Sequence, residues 1–139
     1  MDIRKIDETI SVMPQILPED VAQLAALGFR CIISNRLDGE DAGQPGQAQI
    51  AAAAAAAGLE FRAIPVVPGG LTPELAAEFG AAMAALPGPV LAYCRSGTRS
   101  ATIWALSQSG LRTRDEILMA AARAGYDLRG IAGALQDPA

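Results

Sequence analysis

Apolar positions along the chain follow two rhythms, one of period two and one near period three and a half. Ile6, Ile10 and Val12 alternate with polar neighbours and predict a strand from Ile6 to Met13, broken by Met13-Pro14-Gln15. Pro18-Glu19-Asp20 opens a helix, with proline in the first turn and acids at the positive dipole end. Val21, Leu24, Ala25 and Leu27 form its apolar stripe, and Gly28 stops it. Phe29 to Ser34 predicts a second strand, with Cys31-Ile32-Ile33 as a buried run. A polar, turn-rich stretch, 35–46, leads into an alanine-rich helix over Gln47 to Ala57 with Gly58 as its stop. Leu59 to Val67 predicts a third strand, and Pro68-Gly69-Gly70 a loop. Thr72-Pro73-Glu74 starts a helix whose core face is Leu75, Phe79, Met83 and Leu86. Pro87-Gly88-Pro89 ends that helix, and Val90 to Tyr93 forms a fourth strand that delivers Cys94. Helices follow over Ser100 to Ser109, after a capping box at Thr113 to Glu116, and near Leu128 to Leu135.

The resulting order, β-α-β-α-β-α-β-α-α-α, predicts one α/β domain. Its central sheet is mostly parallel, of four to five strands, with helices on both faces. Neither a repeat nor a linker interrupts residues 1–139.

Composition narrows what such a domain does. Apolar residues make up 51% and charged ones 19% of the chain, which excludes a disordered segment. The net charge is -4 and the 11 basic residues form no run, so nucleic acid is not an expected partner. The longest apolar tract, Ile50 to Gly58, is too short to span a bilayer, and Met1 to Glu8 lacks the apolar core of a signal peptide. Two cysteines, Cys31 and Cys94, make no disulfide framework, so a reducing, cytoplasmic setting is expected. Histidine is absent, which removes Ser-His-Asp and Cys-His catalysis and leaves a poor donor set for transition metals. Neither metal nor cofactor is expected.

Chemistry concentrates where the fourth strand meets the next helix. Cys94 begins a loop, Cys94-Arg95-Ser96-Gly97-Thr98-Arg99, that runs straight into helix. N–H groups at a helix start attract an anion and favour thiolate over thiol. Gly97 permits the backbone angles that aim such groups inward, and Arg99 adds a bidentate oxyanion donor. Ser96, Thr98 and Ser100 supply hydroxyls able to steady the thiolate or a leaving group, while Arg95 reads as a rim charge. Asn35, Arg36, Asp38 and Glu40 are candidate pocket-rim residues, because the 35–46 loop also follows the carboxyl end of a parallel strand. Cys31 and Trp104 read as core.

The loop resembles two anion cradles. Tyrosine and dual-specificity phosphatases carry His-Cys-x5-Arg followed by Ser or Thr. Rhodanese-type sulfurtransferases carry the shorter Cys-Arg-x-Gly-x-Arg, which Cys94 to Arg99 matches. Beyond the loop, the opening strand with Met13-Pro14-Gln15, the segment from Asn35 to Glu40 with Gln44-Pro45, and Leu91 to Arg99 are together similar to one bacterial family. It is the phosphatase-like domain of β-lactamase hydrolase-like proteins, also found fused to metallo-β-lactamase-fold proteins. This resemblance implies a tyrosine-phosphatase-like α/β fold and either phosphatase or persulfide-handling sulfurtransferase chemistry.

Three departures from a working phosphatase stand in the sequence. Tyr93 replaces the histidine before the cysteine. The Cys-to-Arg spacing is one residue short. No acid lies in Val66 to Leu71, where the general acid of such phosphatases is expected, and Asp38, Glu40 or Asp41 would have to swing in from the other rim loop. Proton donation to a leaving alkoxide is worth about 10²–10⁴-fold. Thiolate leaving groups need little such help. The sequence therefore favours a sulfurtransferase that carries sulfane sulfur as a Cys94 persulfide. A phosphatase acting through a Cys94 phosphocysteine is the alternative, and a silent anion- or partner-binding domain a third reading. The expected partners are a small sulfur-bearing or phosphorylated substrate and, for sulfur, a persulfide-handling enzyme.

Overall fold

The computed structural model describes residues 1–139 as five strands and five α-helices. The strands are β1 (Arg4–Lys5), β2 (Ile10–Met13), β3 (Cys31–Ser34), β4 (Glu60–Ala63) and β5 (Val90–Tyr93). The helices are α1 (Val21–Ala26), α2 (Gln47–Ala57), α3 (Pro73–Ala85), α4 (Thr98–Ser107) and α5 (Arg114–Arg123). Short 3-10 turns occupy Pro18–Asp20 and Arg129–Ala134. No helix is long and apolar enough to cross a membrane.

Strand order is β1-β2-β5-β3-β4, parallel throughout except for β1, so the chain is a single α/β domain on a mostly parallel sheet. Side-chain alternation builds two cores. Ile10, Val12, Cys31, Ile33, Val90 and Ala92 face α3, α4 and α5, where Phe79, Trp104 and Ile117 are fully buried. Met13, Ile32, Leu91 and Tyr93 face α1 and α2 through Val21, Leu24, Ile50 and Ala54. Helices thus cover both faces. Cys31 is a free, buried core thiol, pushed up to about 11 by burial.

Four local expectations change. The first strand begins at Ile10, because the Asp7 carboxylate accepts from Thr9 N at 2.8 Å, Thr9 Oγ1 at 2.7 Å and Ile10 N at 3.2 Å, folding Asp7 to Thr9 into a turn. That turn doubles the chain back and lets Arg4–Lys5 pair antiparallel with Ser11 and Val12. Leu27 lies past the end of α1 and is 59% exposed, so it does not join the apolar stripe. The third parallel strand ends at Ala63, although Ile64 N and Val66 N still donate to Ser34 O at 2.8 Å and Asn35 O at 2.9 Å and keep the segment beside β3. Helix α4 starts at Thr98, two residues early, which puts Arg99 on its first turn.

The crossovers place the site. β5 lies between β2 and β3, and Met13, Tyr93 and Ser34 stand level in register. The chain goes outward from β3 to β4 and then returns to β5. The carboxyl ends of β3 and β5 therefore form a switch point, the crevice where open α/β sheets bind ligands. Cys94 and Asn35 leave the sheet there side by side, tied by Asn35 N to Tyr93 O at 2.8 Å and by Cys94 N to Met13 O at 3.4 Å.

Candidate active site

Cys94 sits at the bottom of this crevice and is 1% exposed. Its Sγ accepts a hydrogen bond from Gly97 N at 3.1 Å. The turn that permits this needs φ +92° at Gly97, a left-handed value that favours glycine. Glycine is required there for a second reason: a Cβ would overlap the hydroxyl of Tyr126. Helix α4 begins at once; Gly97 at its N-cap offers no side chain, and Thr98 N donates to Ser96 Oγ at 3.4 Å. The remaining N–H groups of its first turn and the helix dipole supply the positive field that the loop sequence implies.

Arg99 projects from that first turn and is held from two sides. Nη1 donates to Glu40 Oε2 at 2.6 Å and to Val66 O at 2.8 Å, and Nη2 donates to Glu40 Oε1 at 2.7 Å. Its Nε–H is engaged by no carboxylate or carbonyl. The Glu40 carboxylate foremost, with the Cys94 sulfur a lesser contributor, raises the Arg99 guanidinium above the ordinary arginine value.

Glu40 reaches the cradle because its own loop is anchored by a buried arginine. Arg36 is 3% exposed; it donates to Glu40 Oε1 at 3.0 Å, Asp41 Oδ2 at 2.6 Å and Gln15 Oε1 at 3.0 Å. Asp41 in turn pairs with exposed Arg95 at 3.3 Å. Arg99 first, and Arg36 after it, hold the Glu40 carboxyl down at about 2. The carboxyl end of β3 and the loop after β5 are thereby joined by alternating charges, Arg36–Glu40–Arg99 and Arg36–Asp41–Arg95.

The depressed Glu40 carboxyl makes a stability prediction. A group whose folded value is lowered stabilises the native state above the ordinary carboxyl range and loses that effect as pH falls through its folded value. The difference in thermal midpoint between the native chain and Glu40→Gln is expected to be constant above about pH 5 and to shrink as pH approaches 2. Melting curves across that range check it. A gap as wide at the acid end as at neutrality contradicts it.

The other expected site residues are placed differently. Asn35 is fully buried; its Nδ2 donates to Ile64 O at 2.9 Å, and its Oδ1 accepts from Ser100 Oγ at 2.7 Å. These two residues fasten β3 and the segment after β4 to α4 rather than facing a ligand. Asp38 is no rim group: its Oδ1 accepts from Gln47 N at 2.8 Å, at the start of α2. Arg36 is likewise a buried anchor, not a substrate contact. The hydroxyls do not steady the sulfur. Ser96 Oγ and Thr98 Oγ1 lie exposed, 3.1 Å from each other, and Ser100 is spent on Asn35. Of the four rim candidates, Glu40 alone contacts the arginine of the cradle.

One residue escaped sequence reasoning. Tyr126, three residues past α5, donates its hydroxyl proton to Ser96 O at 3.2 Å. Nothing local in Gly125-Tyr126-Asp127 ties it to the loop 30 residues earlier.

Beside Arg99 a cavity of about 270 Å³ opens between the segment after β4 and α4, lined by Val66, Gly69, Leu71, Thr98, Arg99 and Thr102. It contains no acid. Every carboxylate of the neighbouring loop is engaged: Glu40, held down at about 2, pairs with Arg36 and Arg99, Asp41 pairs with Arg36 and Arg95, and Asp38 accepts from Gln47 N at the start of α2. The arrangement suits a thiolate nucleophile, an anionic substrate, and a leaving group that departs unaided.

Comparison with known proteins agrees with this geometry. A crystal structure from Neisseria meningitidis Z2491, described as a candidate phosphatase, superposes with a TM-score of 0.85 at 35% identity, covering 96% of this chain and 95% of that one. The core catalytic domain of a PP-IP phosphatase from S. cerevisiae, in complex with citrate, shares the fold at 14% identity and a TM-score of 0.66, over 95% and 81% of the two chains. A β-lactamase hydrolase-like protein of Agrobacterium fabrum is 37% identical over 126 residues, 89% of this chain but only 29% of the relative, so the domain spans about three tenths of that protein. The family model described as "Beta-lactamase hydrolase-like protein, phosphatase-like domain" matches residues 2–111. With a cysteine-phosphatase-like fold and that match over most of its length, the chain belongs to the phosphatase-like domain family of β-lactamase hydrolase-like proteins.

Proposed function

We propose that the domain is a cysteine-dependent hydrolase of the phosphatase type, acting on phosphoryl groups whose leaving group departs without a proton. The observation that carries this reading is the Gly97 N–H aimed at Cys94 Sγ, beside Arg99 and the start of α4. In the first step the Cys94 thiolate attacks phosphorus, a P–S bond forms, and the P–O bond to the leaving group breaks with its electron pair. In the second, water attacks the phosphocysteine, releasing inorganic phosphate and the thiolate. Loop N–H groups and the Arg99 Nε–H face the phosphoryl oxygens as charge builds on them. Aryl and anhydride phosphates meet the leaving-group condition; simple alkyl esters do not.

A second reading is favoured by two observations, the missing proton donor and the six-residue Cys94-to-Arg99 loop. On this reading the thiolate attacks the outer sulfur of a donor such as thiosulfate. An S–S bond forms to Cys94 while the donor's S–S bond breaks, sulfite leaves with the electron pair, and an acceptor thiolate later removes the sulfur. Donor and acceptor would be small molecules or a persulfide-handling enzyme.

Intact-protein mass spectrometry after rapid acid quench separates the two. Phosphatase action predicts a Cys94 adduct of one phosphoryl group from an aryl phosphate and no stable adduct from thiosulfate. A chain that instead gains one sulfur atom from thiosulfate and never retains a phosphoryl group requires the sulfur reading in its place.

A further inference from the structure

The Ser96–Gly97 peptide has a partner at each end. Its N–H, from Gly97, points at Cys94 Sγ at 3.1 Å, and its C=O, from Ser96, accepts the Tyr126 hydroxyl at 3.2 Å. In a trans peptide these two groups point in opposite directions, so fixing one aims the other. Gly97, at φ +92°, sits where glycine lets a peptide rotate at low cost; the bonds from Thr98 N to Ser96 Oγ at 3.4 Å and from Ala101 N to Gly97 O at 2.9 Å hold its neighbours, and only Tyr126 holds the Ser96 carbonyl itself. The neighbouring hydroxyls of Ser96 and Thr98 bond to each other in solvent. The Tyr126 ring also occupies the space above Gly97 that any side chain there would need.

We propose that Tyr126 is a positioning residue for the Cys94 nucleophile: by holding the Ser96 carbonyl, it keeps the Gly97 N–H directed at the sulfur and so favours the thiolate. This rests on Cys94 being the nucleophile, as proposed above. A hydrogen bond accepted by the carbonyl also polarises the peptide and strengthens the N–H as a donor. Burial raises the Tyr126 hydroxyl above the ordinary tyrosine value, so it keeps its proton and serves as the donor. Other charges around the pair are few. Arg99 faces the sulfur from α4, with Glu40 behind it. Arg4 and Asp2 face Tyr126 from the edge of the sheet, and Arg4 Nη1 is bonded to Ala124 O at 3.3 Å. Met13, at the end of β2, contributes no charge.

The test reads the resting protein and needs no substrate. The rate of Cys94 alkylation by iodoacetamide is followed against pH, with Cys94→Ser as background; Cys31, buried and held up at about 11, reacts negligibly near neutrality. Tyr126→Phe keeps the ring and removes the hydroxyl. Its alkylation midpoint is expected to move up by about half to one pH unit, the effect of one lost hydrogen bond. Turnover at fixed pH should fall in proportion to the lost thiolate and recover at high pH. An unmoved midpoint in Tyr126→Phe overturns the proposal, and a midpoint that moves only in Tyr126→Ala overturns it too, since packing would then be the cause. A substitution-free measurement guards against misfolding. The ring Cζ resonance of Tyr126 in the native protein should shift across the same midpoint, and a flat resonance there counts against the proposal. The nucleophile itself is tested separately, because loss of turnover in Cys94→Ser does not depend on Tyr126.

Discussion

Cys94→Ser should lower turnover of an aryl phosphate by on the order of 10⁴–10⁶-fold, the scale at which a covalent nucleophile is lost. The substitution is nearly isosteric, and the Arg99–Glu40–Arg36 network beside Cys94 holds itself together through its own hydrogen bonds, so the fold should survive. The chemistry should not. The Gly97 N–H is placed to stabilise charge on the sulfur, but a serine hydroxyl ionises far above neutrality. No histidine or free carboxylate exists to take its proton, and this is why the loss should approach the upper end. Serine proteases manage with a hydroxyl because an adjacent base activates it; this site has only dipoles and arginines. Steady-state kinetics with circular dichroism as the folding control measure the effect. Residual activity within tenfold of the native chain would mean that the reaction occurs elsewhere.

Arg99→Ala should cost about 10²–10³-fold in kcat/KM for an anionic substrate, the loss expected for removing a principal oxyanion donor. Its distinctive signature lies in Glu40. With Arg99 gone, the carboxylate that received two of its hydrogen bonds keeps only Arg36 and Leu37 N, and it stands beside the cradle with unspent negative charge. That charge repels the substrate. Removing Glu40 as well should therefore recover part of the activity, so the Arg99→Ala/Glu40→Ala chain should exceed Arg99→Ala alone. Such strong non-additivity is expected of side chains in one network. Alkylation of Cys94 by neutral iodoacetamide should change much less than turnover of the anion. Equal losses for the neutral and anionic reagents would reduce Arg99 to a prop for the loop.

Much of this site was written in local chemistry. A hydrophobic strand ending in Cys94, a glycine three residues on, and an arginine at the start of a helix predict a cradle because each acts over a few residues. The parallel sheet followed from strands alternating with helical stripes. What the sequence concealed was contact across the fold. Glu40 is 59 residues from Arg99, and Tyr126 is 30 residues from Ser96. Neither partnership leaves a periodicity or a motif. Arg36 reads as a rim cation because arginine is seldom buried; its burial depends on Gln15, Glu40 and Asp41 converging from two segments. Ser96, Thr98 and Ser100 looked like ligands for sulfur because they flank it in sequence, yet the helix begins early and turns their side chains elsewhere. The short first strand had a local cause, the Asp7 side-chain turn, which a stricter reading of Asp7-Glu8-Thr9 would have found.

The alternating chain of arginines and carboxylates around the cradle has a consequence for how a substrate arrives. Arg36, Arg95 and Arg99 stand against Glu40 and Asp41, so five charges leave a net of only one. Seen from beyond about 8 Å, roughly the screening length at physiological ionic strength, the crevice projects little field. It does not draw anions in from solution, on a protein that already carries a net charge of -4. Capture is then a matter of close fit. Abundant small anions gain nothing from long-range attraction, and only a molecule that brings its charged group to the Gly97 and α4 N–H groups is held.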